Sequence, residues 1–409
     1  MLLYFSLLME STLKVLASGT VISPPGFLAG ATESGIKRQG GLDLAILYSQ
    51  EPCVAAGVFT TNAIKSAPVL LSQKHLQDRN AQAIVVNSGC ANASTGAAGL
   101  ADAEAIASMV AKRLGMSSND VLVAGTGVIG VPLPMARVRD GIDKIVLTDN
   151  GGHELAQAMM TTDTFAKEIA VFVDTEPDEF TVGGVAKGAG MIHPNMATML
   201  CFLTTDASVE ADFLQSALQK AVDFSFNMVT VDGDTSPSDT VVILANGLAK
   251  NKPINERNGE VFQQALTDVC LYLAKCVVRD GEGANKLIEV TIEGALNDAE
   301  ARVAARTVAS SALVKSAIHG NDPNWGRIVA AVGRSGVKVS ESKLDVYLNG
   351  VCVMKQGIPI PFDEPNLSAS LASKEVYIKV ELNLGRGRAT AWGCDLSEEY
   401  VTINSAYTT

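Results

Sequence analysis

Through the first third of the chain, apolar residues come in short runs separated by small-residue turns, at 42–48, 55–60, 83–86 and 120–124. Runs of this length between turn residues predict strands. Between the last two the period lengthens: Ile106, Met109, Val110 and Leu114 fall on one helical face over 102–114, and Gly115 stands where a helix stops. Leu214, Leu218 and Val222 predict a second helix over 210–222. A longer stripe of Phe262, Leu266, Val269, Cys270, Leu273 and Val277 predicts a helix over 259–278, which makes its cysteines core residues rather than redox groups. After Arg279-Asp-Gly-Glu282-Gly-Ala-Asn285 the pattern restarts as a strand at 287–292. That restart sets a domain boundary near 286 and divides the chain into 1–286 and 287–409. The second part predicts a small-residue helix over 297–316 and alternating strands at 343–348 and 376–382. Strands and helices mix without a regular βαβ alternation, which favours an α+β fold.

A length of 409 residues, 47% hydrophobic and 19% charged, supplies sizeable cores for two or more domains. The formal charge of −12 argues against nucleic acid or anionic membrane as partners, and a small-molecule substrate is the expectation. Seven cysteines, odd in number and without a C-x-x-C pair, suggest neither a disulfide framework nor a zinc knuckle and fit a reducing cytoplasm. The four histidines, at 75, 153, 193 and 319, stand apart and form no H-E-x-x-H motif, so no metal is expected. The apolar opening Met1-Leu-Leu-Tyr-Phe-Ser-Leu-Leu8 has no basic residue before Lys14 and is too short to span a bilayer. It reads as no targeting segment, and Met9 stands as an alternative start.

Gly125-Thr-Gly127-Val-Ile-Gly130 follows a predicted strand and has the G-x-G-x-x-G spacing of a dinucleotide loop. Pro132 and Pro134 come directly after it, where such a loop needs a helix to receive the pyrophosphate. An oxyanion hole suits the segment better, since Thr126 and Gly127 supply a hydroxyl and a backbone N–H at a sharp turn; a plain glycine turn is the simpler alternative. Met160-Thr161-Thr-Asp-Thr164 reads as a helix cap or Asx-type turn. Asp232-Gly-Asp-Thr-Ser-Pro-Ser-Asp239 crowds three acids into one loop but lacks the calcium-loop spacing and closing glutamate, so it reads as a turn network.

The richest segment is Lys187-Gly-Ala-Gly-Met-Ile-His-Pro-Asn-Met-Ala197-Thr198-Met-Leu200. A strained turn here would aim the Thr198 hydroxyl at the Ala197 carbonyl. Cleavage at that bond frees a Thr198 α-amine of pKa about 7.7–8.0 beside its own Oγ, so one residue becomes nucleophile and base. The same residues, 196–203, also read as an ordinary buried strand.

Taken together these segments resemble the ornithine acetyltransferase family, the bifunctional glutamate N-acetyltransferases of arginine biosynthesis. The matches run in order from Gly26-Phe27, Gly35-Ile-Lys37 and Asn87-Ser-Gly89, through the motifs above, to His319-Gly-Asn-Asp-Pro-Asn-Trp-Gly-Arg327 and Asn404-Ser-Ala-Tyr-Thr-Thr409. The resemblance implies a layered α/β sandwich with a processed N-terminal threonine, plus a smaller C-terminal α+β domain whose tail returns to the site. It implies self-cleavage after Ala197 into an α chain, 1–197, and a β chain, 198–409. It also implies ping-pong transfer of acetyl from N2-acetyl-L-ornithine to L-glutamate through Thr198, without a cofactor, in a heterotetramer of two α and two β chains. Some members of the family also take acetyl from acetyl-CoA. Thr126 and Gly127 would form the oxyanion hole, and Thr161, Lys187, Thr198, Glu282, Asn404 and Thr409 would hold substrate. Lys187 suits the α-carboxylate common to both amino acids, and Glu282 suits the ornithine side-chain ammonium. The sequence departs from the family pattern at Cys90, Ser94, Gly125 and Ser236-Pro237-Ser238-Asp239; of these, Gly125 is expected to loosen the oxyanion loop and Pro237 to alter a nearby turn. Two alternatives remain open: an N-terminal-threonine aminopeptidase or amidase that passes the acyl group to water, and an uncleaved binding or scaffold protein.

Overall fold

The computed structural model describes residues 12–175, 178–193 and 199–406. The opening segment 1–8 and Met9 lie outside them. In chain order the strands are β1 (Leu13–Val15), β2 (Phe27–Thr32), β3 (Leu44–Phe59), β4 (Asn80–Cys90), β5 (Val121–Val128), β6 (Lys167–Val173), β7 (Phe180–Lys187), β8 (Leu200–Thr205), β9 (Val229–Thr230) and β10 (Thr240–Ala245). They continue with β11 (Leu287–Ala295), β12 (Asp345–Leu348), β13 (Val351–Lys355), β14 (Ile358–Pro359), β15 (Glu375–Glu381) and β16 (Gly387–Cys394). The helices are α1 (Ala67–His75), α2 (Gly96–Leu114), α3 (Met135–Lys144), α4 (Gly152–Met159), α5 (Ala211–Phe224), α6 (Glu260–Arg279), α7 (Asp298–Ala309), α8 (Ala312–His319), α9 (Trp325–Gly333), α10 (Glu364–Leu371) and α11 (Glu398–Ala406).

Side-chain alternation along the strands builds four layers. On β4, Ala83 and Val85 pack with α1 and α2, whereas Ile84 and Val86 face the other way and join Leu200 and Phe202 of β8 and Val242 and Leu244 of β10. On β8, Cys201 and Leu203 turn to α5 and α6. The order is therefore helices, sheet, sheet, helices, and the middle core lies between two apolar strand faces. β3 stitches the layers together: it pairs with β2 and β4 along its first half and with β10 along its second, in the strand order β1-β6-β7-β8-β10-β3-β4-β5. The α+β class and layered sandwich follow from this packing. A second sheet, in the order β14-β13-β12-β15-β11-β16-β9, is built mostly from residues after 286 but takes β9 from before that point.

Two expected elements differ. The strands expected at 42–48 and 55–60 are one 16-residue strand, β3. Exposed Gln50, Glu51 and Pro52 read as a turn because they sit where β3 passes from one layer to the other, with a register shift against β4 between Tyr48 and Cys53. The helix expected over 297–316 is two helices, α7 and α8, broken at Ser310-Ser311; the Ser310 hydroxyl turns back to the Thr307 carbonyl, the local competition with helix bonding that serine offers. By length and composition α6 is apolar enough to cross a bilayer, but its stripe is buried against β6 and β7.

Candidate active site

β4 and β5 run parallel, with Ser88 opposite Thr126 and Gly89 opposite Gly127. Gly127 has φ +121°, and a Cβ there would lie 2.4 Å from the Gly89 carbonyl carbon, so only glycine fits this approach. Gly125, Thr126 and Gly127 all lie inside β5, and the next helix, α3, opens only at Met135. The glycines thus end a strand rather than open a helix, which removes the phosphate-binding reading. Gly125 is buried opposite Asn87, whose side chain donates to the Cys90 carbonyl at 2.8 Å.

Across the sheet, β7 ends in Lys187, which is paired with Leu200 at the start of β8. Thr126, Gly127, Thr161, Lys187, Glu282 and Asn404 together line one cleft of about 570 Å³. Six of the expected site residues meet there, although they span from 126 to 404 in sequence. The Lys187 ammonium, buried with its side chain only 3% exposed, donates to Thr161 Oγ1 at 2.7 Å and to Thr126 Oγ1 at 3.4 Å. Asp163 Oδ2 stands 3.6 Å away. Burial lowers the Lys187 pKa, opposed by Asp163. Burial also pushes the Asp163 carboxyl up, but Lys187 and Lys167 outweigh that and hold it below the usual carboxylate range.

Asp163 is itself part of a buried network. Lys167 bridges Asp163 Oδ1 at 2.7 Å and Asp280 Oδ2 at 2.5 Å, and the Gly188 N–H donates to Asp163 Oδ1 at 2.6 Å. Asp280 in turn accepts from the Thr164 N–H and hydroxyl. Met160–Thr164 is therefore more than the cap or turn its sequence suggests; it fastens the loop bearing Glu282 to the loop following Lys187. Glu282 is buried, takes its place through a backbone bond to the Ala189 carbonyl at 2.8 Å, and accepts from Asn404 Nδ2 at 2.8 Å. The C-terminal helix α11 thus reaches the cleft.

Ala197, Thr198 and Thr409 lie outside the described residues, but the chain is anchored on both sides of 194–198. The Ile192 N–H donates to Asp232 Oδ1 and the Met191 N–H to Asp232 Oδ2; burial moves this carboxyl up to about 6. The Asp234 N–H donates to Asp232 as well, which makes this acid-rich loop the expected turn network. On the other side the Met199 N–H donates to Asp239 Oδ1 at 3.1 Å. Asp239 is fully buried, and burial raises its carboxyl well above the usual range. Pro237 lines the cleft while its carbonyl accepts from the Ser66 N–H.

The ArgJ family model matches residues 28–409. The arginine biosynthesis bifunctional protein ArgJ of Dehalococcoides mccartyi is 54% identical over 98% of this chain and 100% of its own length. The chain belongs to the ArgJ family. The protein of the same description from Oceanobacillus iheyensis is 47% identical over 98% of this chain and 100% of its own. A solved structure of ornithine acetyltransferase complexed with ornithine, from Mycobacterium tuberculosis, is 42% identical with a TM-score of 0.42, covering 45% of this chain and 98% of that one. As an ArgJ family member the chain is an acyltransferase of arginine biosynthesis.

Sequence reasoning left Asp163, Lys167, Asp280 and Asp239 without a part in the site. The i, i+4 spacing of Asp163 and Lys167 is the one local signal, and it falls outside any helix. Their burial is decided by β6 and α6, far apart in sequence.

Proposed function

We propose that the chain cleaves itself between Ala197 and Thr198, and that Thr198 then carries acetyl from N2-acetyl-L-ornithine to L-glutamate in a ping-pong cycle. The observation that carries this reading is a single cleft in which a buried ammonium, Lys187, and a buried carboxyl group, Glu282, flank Thr126 and Gly127. An amino acid with a side-chain ammonium matches that charge pattern end to end.

In self-cleavage the Thr198 Oγ attacks the Ala197 carbonyl, the C–N bond breaks, and the hydroxyl proton ends on the nitrogen; water then hydrolyses the ester. In transfer the Thr198 amine takes the Oγ proton as Oγ attacks the acetyl carbonyl. The oxyanion is met by the Gly127 N–H and the Thr126 hydroxyl. Because Thr126 Oγ1 accepts from Lys187, its own proton is free to point into the cleft. Ornithine leaves with its α-nitrogen reprotonated, and glutamate attacks the acetyl-threonine by the reverse path. Lys187 and Thr161 hold the α-carboxylate of either amino acid, Glu282 holds the side-chain ammonium of ornithine, and Asn404 and Thr409 of the tail close the far end of the cleft for both. Residues 1–286 serve as the catalytic part and 287–409 as the domain that returns the tail. Two α and two β chains associate as a heterotetramer in the cytoplasm.

Ornithine release from N-acetylornithine, measured with and without glutamate, tests this. Glutamate-dependent turnover, with at most one ornithine per site in its absence, is expected; equal release in both makes the enzyme a hydrolase. Replacing N-acetylornithine by acetyl-CoA and following free CoA thiol and N-acetylglutamate reads whether the thioester is a second donor. A single full-length band on a denaturing gel would overturn the self-processing.

A further inference from the structure

We infer that Gly190 is a specificity-determining residue: the side chain it lacks leaves the space in which the Glu282 carboxyl group stands, and so tunes the enzyme to substrates with a side-chain ammonium. The inference rests on the reading of Glu282 as the partner of that ammonium. Gly190 and Glu282 line the same cleft. A Cβ on Gly190 would lie 2.5 Å from Glu282 Cδ, 2.5 Å from Oε2 and 2.6 Å from Oε1. All three closest atoms belong to the carboxyl group, and none to backbone. Gly190 is also absent from the left-handed region of φ, so an added Cβ carries no φ strain there, and the three nearest atoms it would meet are all Glu282's.

Glu282 is fixed in its present position at two points. Its N–H is held by the Ala189 carbonyl, one residue from Gly190, and its Oε2 by Asn404. A methyl group at 190 must therefore displace the carboxyl group from the position it holds beside Asn404. Lys187 and Gly190 lie in one short segment, with Gly188 fixed by Asp163 between them. The backbone of 188–190 thus sets the spacing between the group that reads the α-carboxylate and the group that reads the ammonium.

Steady-state kinetics of the processed enzyme test the inference. Gly190→Ala is expected to lower kcat/KM for N-acetylornithine about tenfold or more, while kcat/KM for glutamate, whose side chain has no ammonium, stays within about threefold. In Gly190→Ala/Glu282→Asp the shorter acid clears the methyl group, and kcat/KM for N-acetylornithine recovers at least about threefold over Gly190→Ala alone. An equal loss for both substrates, or no recovery in the double variant, overturns the inference. Glu282→Gln separates two failures. If it leaves kcat/KM for N-acetylornithine unchanged, the ammonium reading of Glu282 falls; if it lowers that value while Gly190→Ala stays within about threefold of wild type, only the inference on Gly190 falls.

Discussion

A lysine ammonium has three donors, and Lys187 turns two of them to Thr161 and Thr126. Asp163 Oδ2 forms an ion pair with it at 3.6 Å, and Asp163 also accepts from Lys167, Gly188 and Thr161. Lys187 therefore shares Asp163 with Lys167 instead of pairing with it alone, which leaves positive charge in the cleft for an anionic ligand. Lys187→Met should lower kcat/KM by a similar factor, about 10- to 100-fold, for N-acetylornithine and glutamate alike, since both carry the α-carboxylate. Folding should survive because Asp163 keeps Lys167. A loss confined to one substrate would assign Lys187 to a side chain instead. Asp239 gives a second prediction of different kind. Burial raises its folded-state pKa, so its contribution to stability is full below the unfolded value of about 3.9 and falls as pH rises toward the folded value. Its Oδ2 has no hydrogen-bond partner among the described residues. Asp239→Asn, which keeps an acceptor for the Met199 N–H, should raise the melting temperature more at pH 8 than at pH 4. A difference that does not grow with pH would mean the carboxyl group is ionised in the fold.

At the scale of elements, α11 is the contributor that only the family resemblance anticipated. None of its residues is buried, and it is fastened by polar contacts: Ser397 Oγ to the Gly283 carbonyl at 2.6 Å just before it, and Asn404 to Glu282 within it. Gly283, at φ +71°, lets the chain come that close, since a Cβ there would lie 2.5 Å from the Tyr400 nitrogen. Deleting 398–409 should cut acetyl transfer while leaving fold and self-cleavage intact, because the helix contributes to the cleft and not to any core. A deletion that also blocks the two-band pattern would make the tail part of processing. What the sequence made legible follows the same division. The stripes of α2, α5 and α6 repeat within a few residues, so their period announces them. β3 was read as two strands because its exposed middle looks like a turn until the second layer is known. α11 buries none of its residues and shows no apolar stripe at helical spacing, so Asn404 came into view only through the family resemblance. Asp163 and Lys167 are written as an ordinary polar turn, and only the packing of β6 against α6 makes them a buried charge pair.

At the scale of the molecule, the proposed cut falls between strands that neighbour each other. β8 and β10 belong to 198–409 yet lie between β7 and β3, both from 1–197. Every residue of β7, β8 and β10 is buried. Pulling the two products apart would therefore open two ladders in the middle of a sheet and strip both faces of β8 and β10, leaving unpaired backbone groups and wet apolar surface on each fragment. Cleavage should release a new terminus without releasing a chain. An affinity tag on the N-terminal fragment is expected to retain the 198–409 fragment in equal amount through native chromatography, with separation only on denaturation. Thr198→Ala should give one band on a denaturing gel at the same native size as the processed enzyme, since the ladders that join the halves do not depend on the cut. Recovery of either fragment alone under native conditions would show that the break lies elsewhere, at a loop whose two sides do not share a sheet.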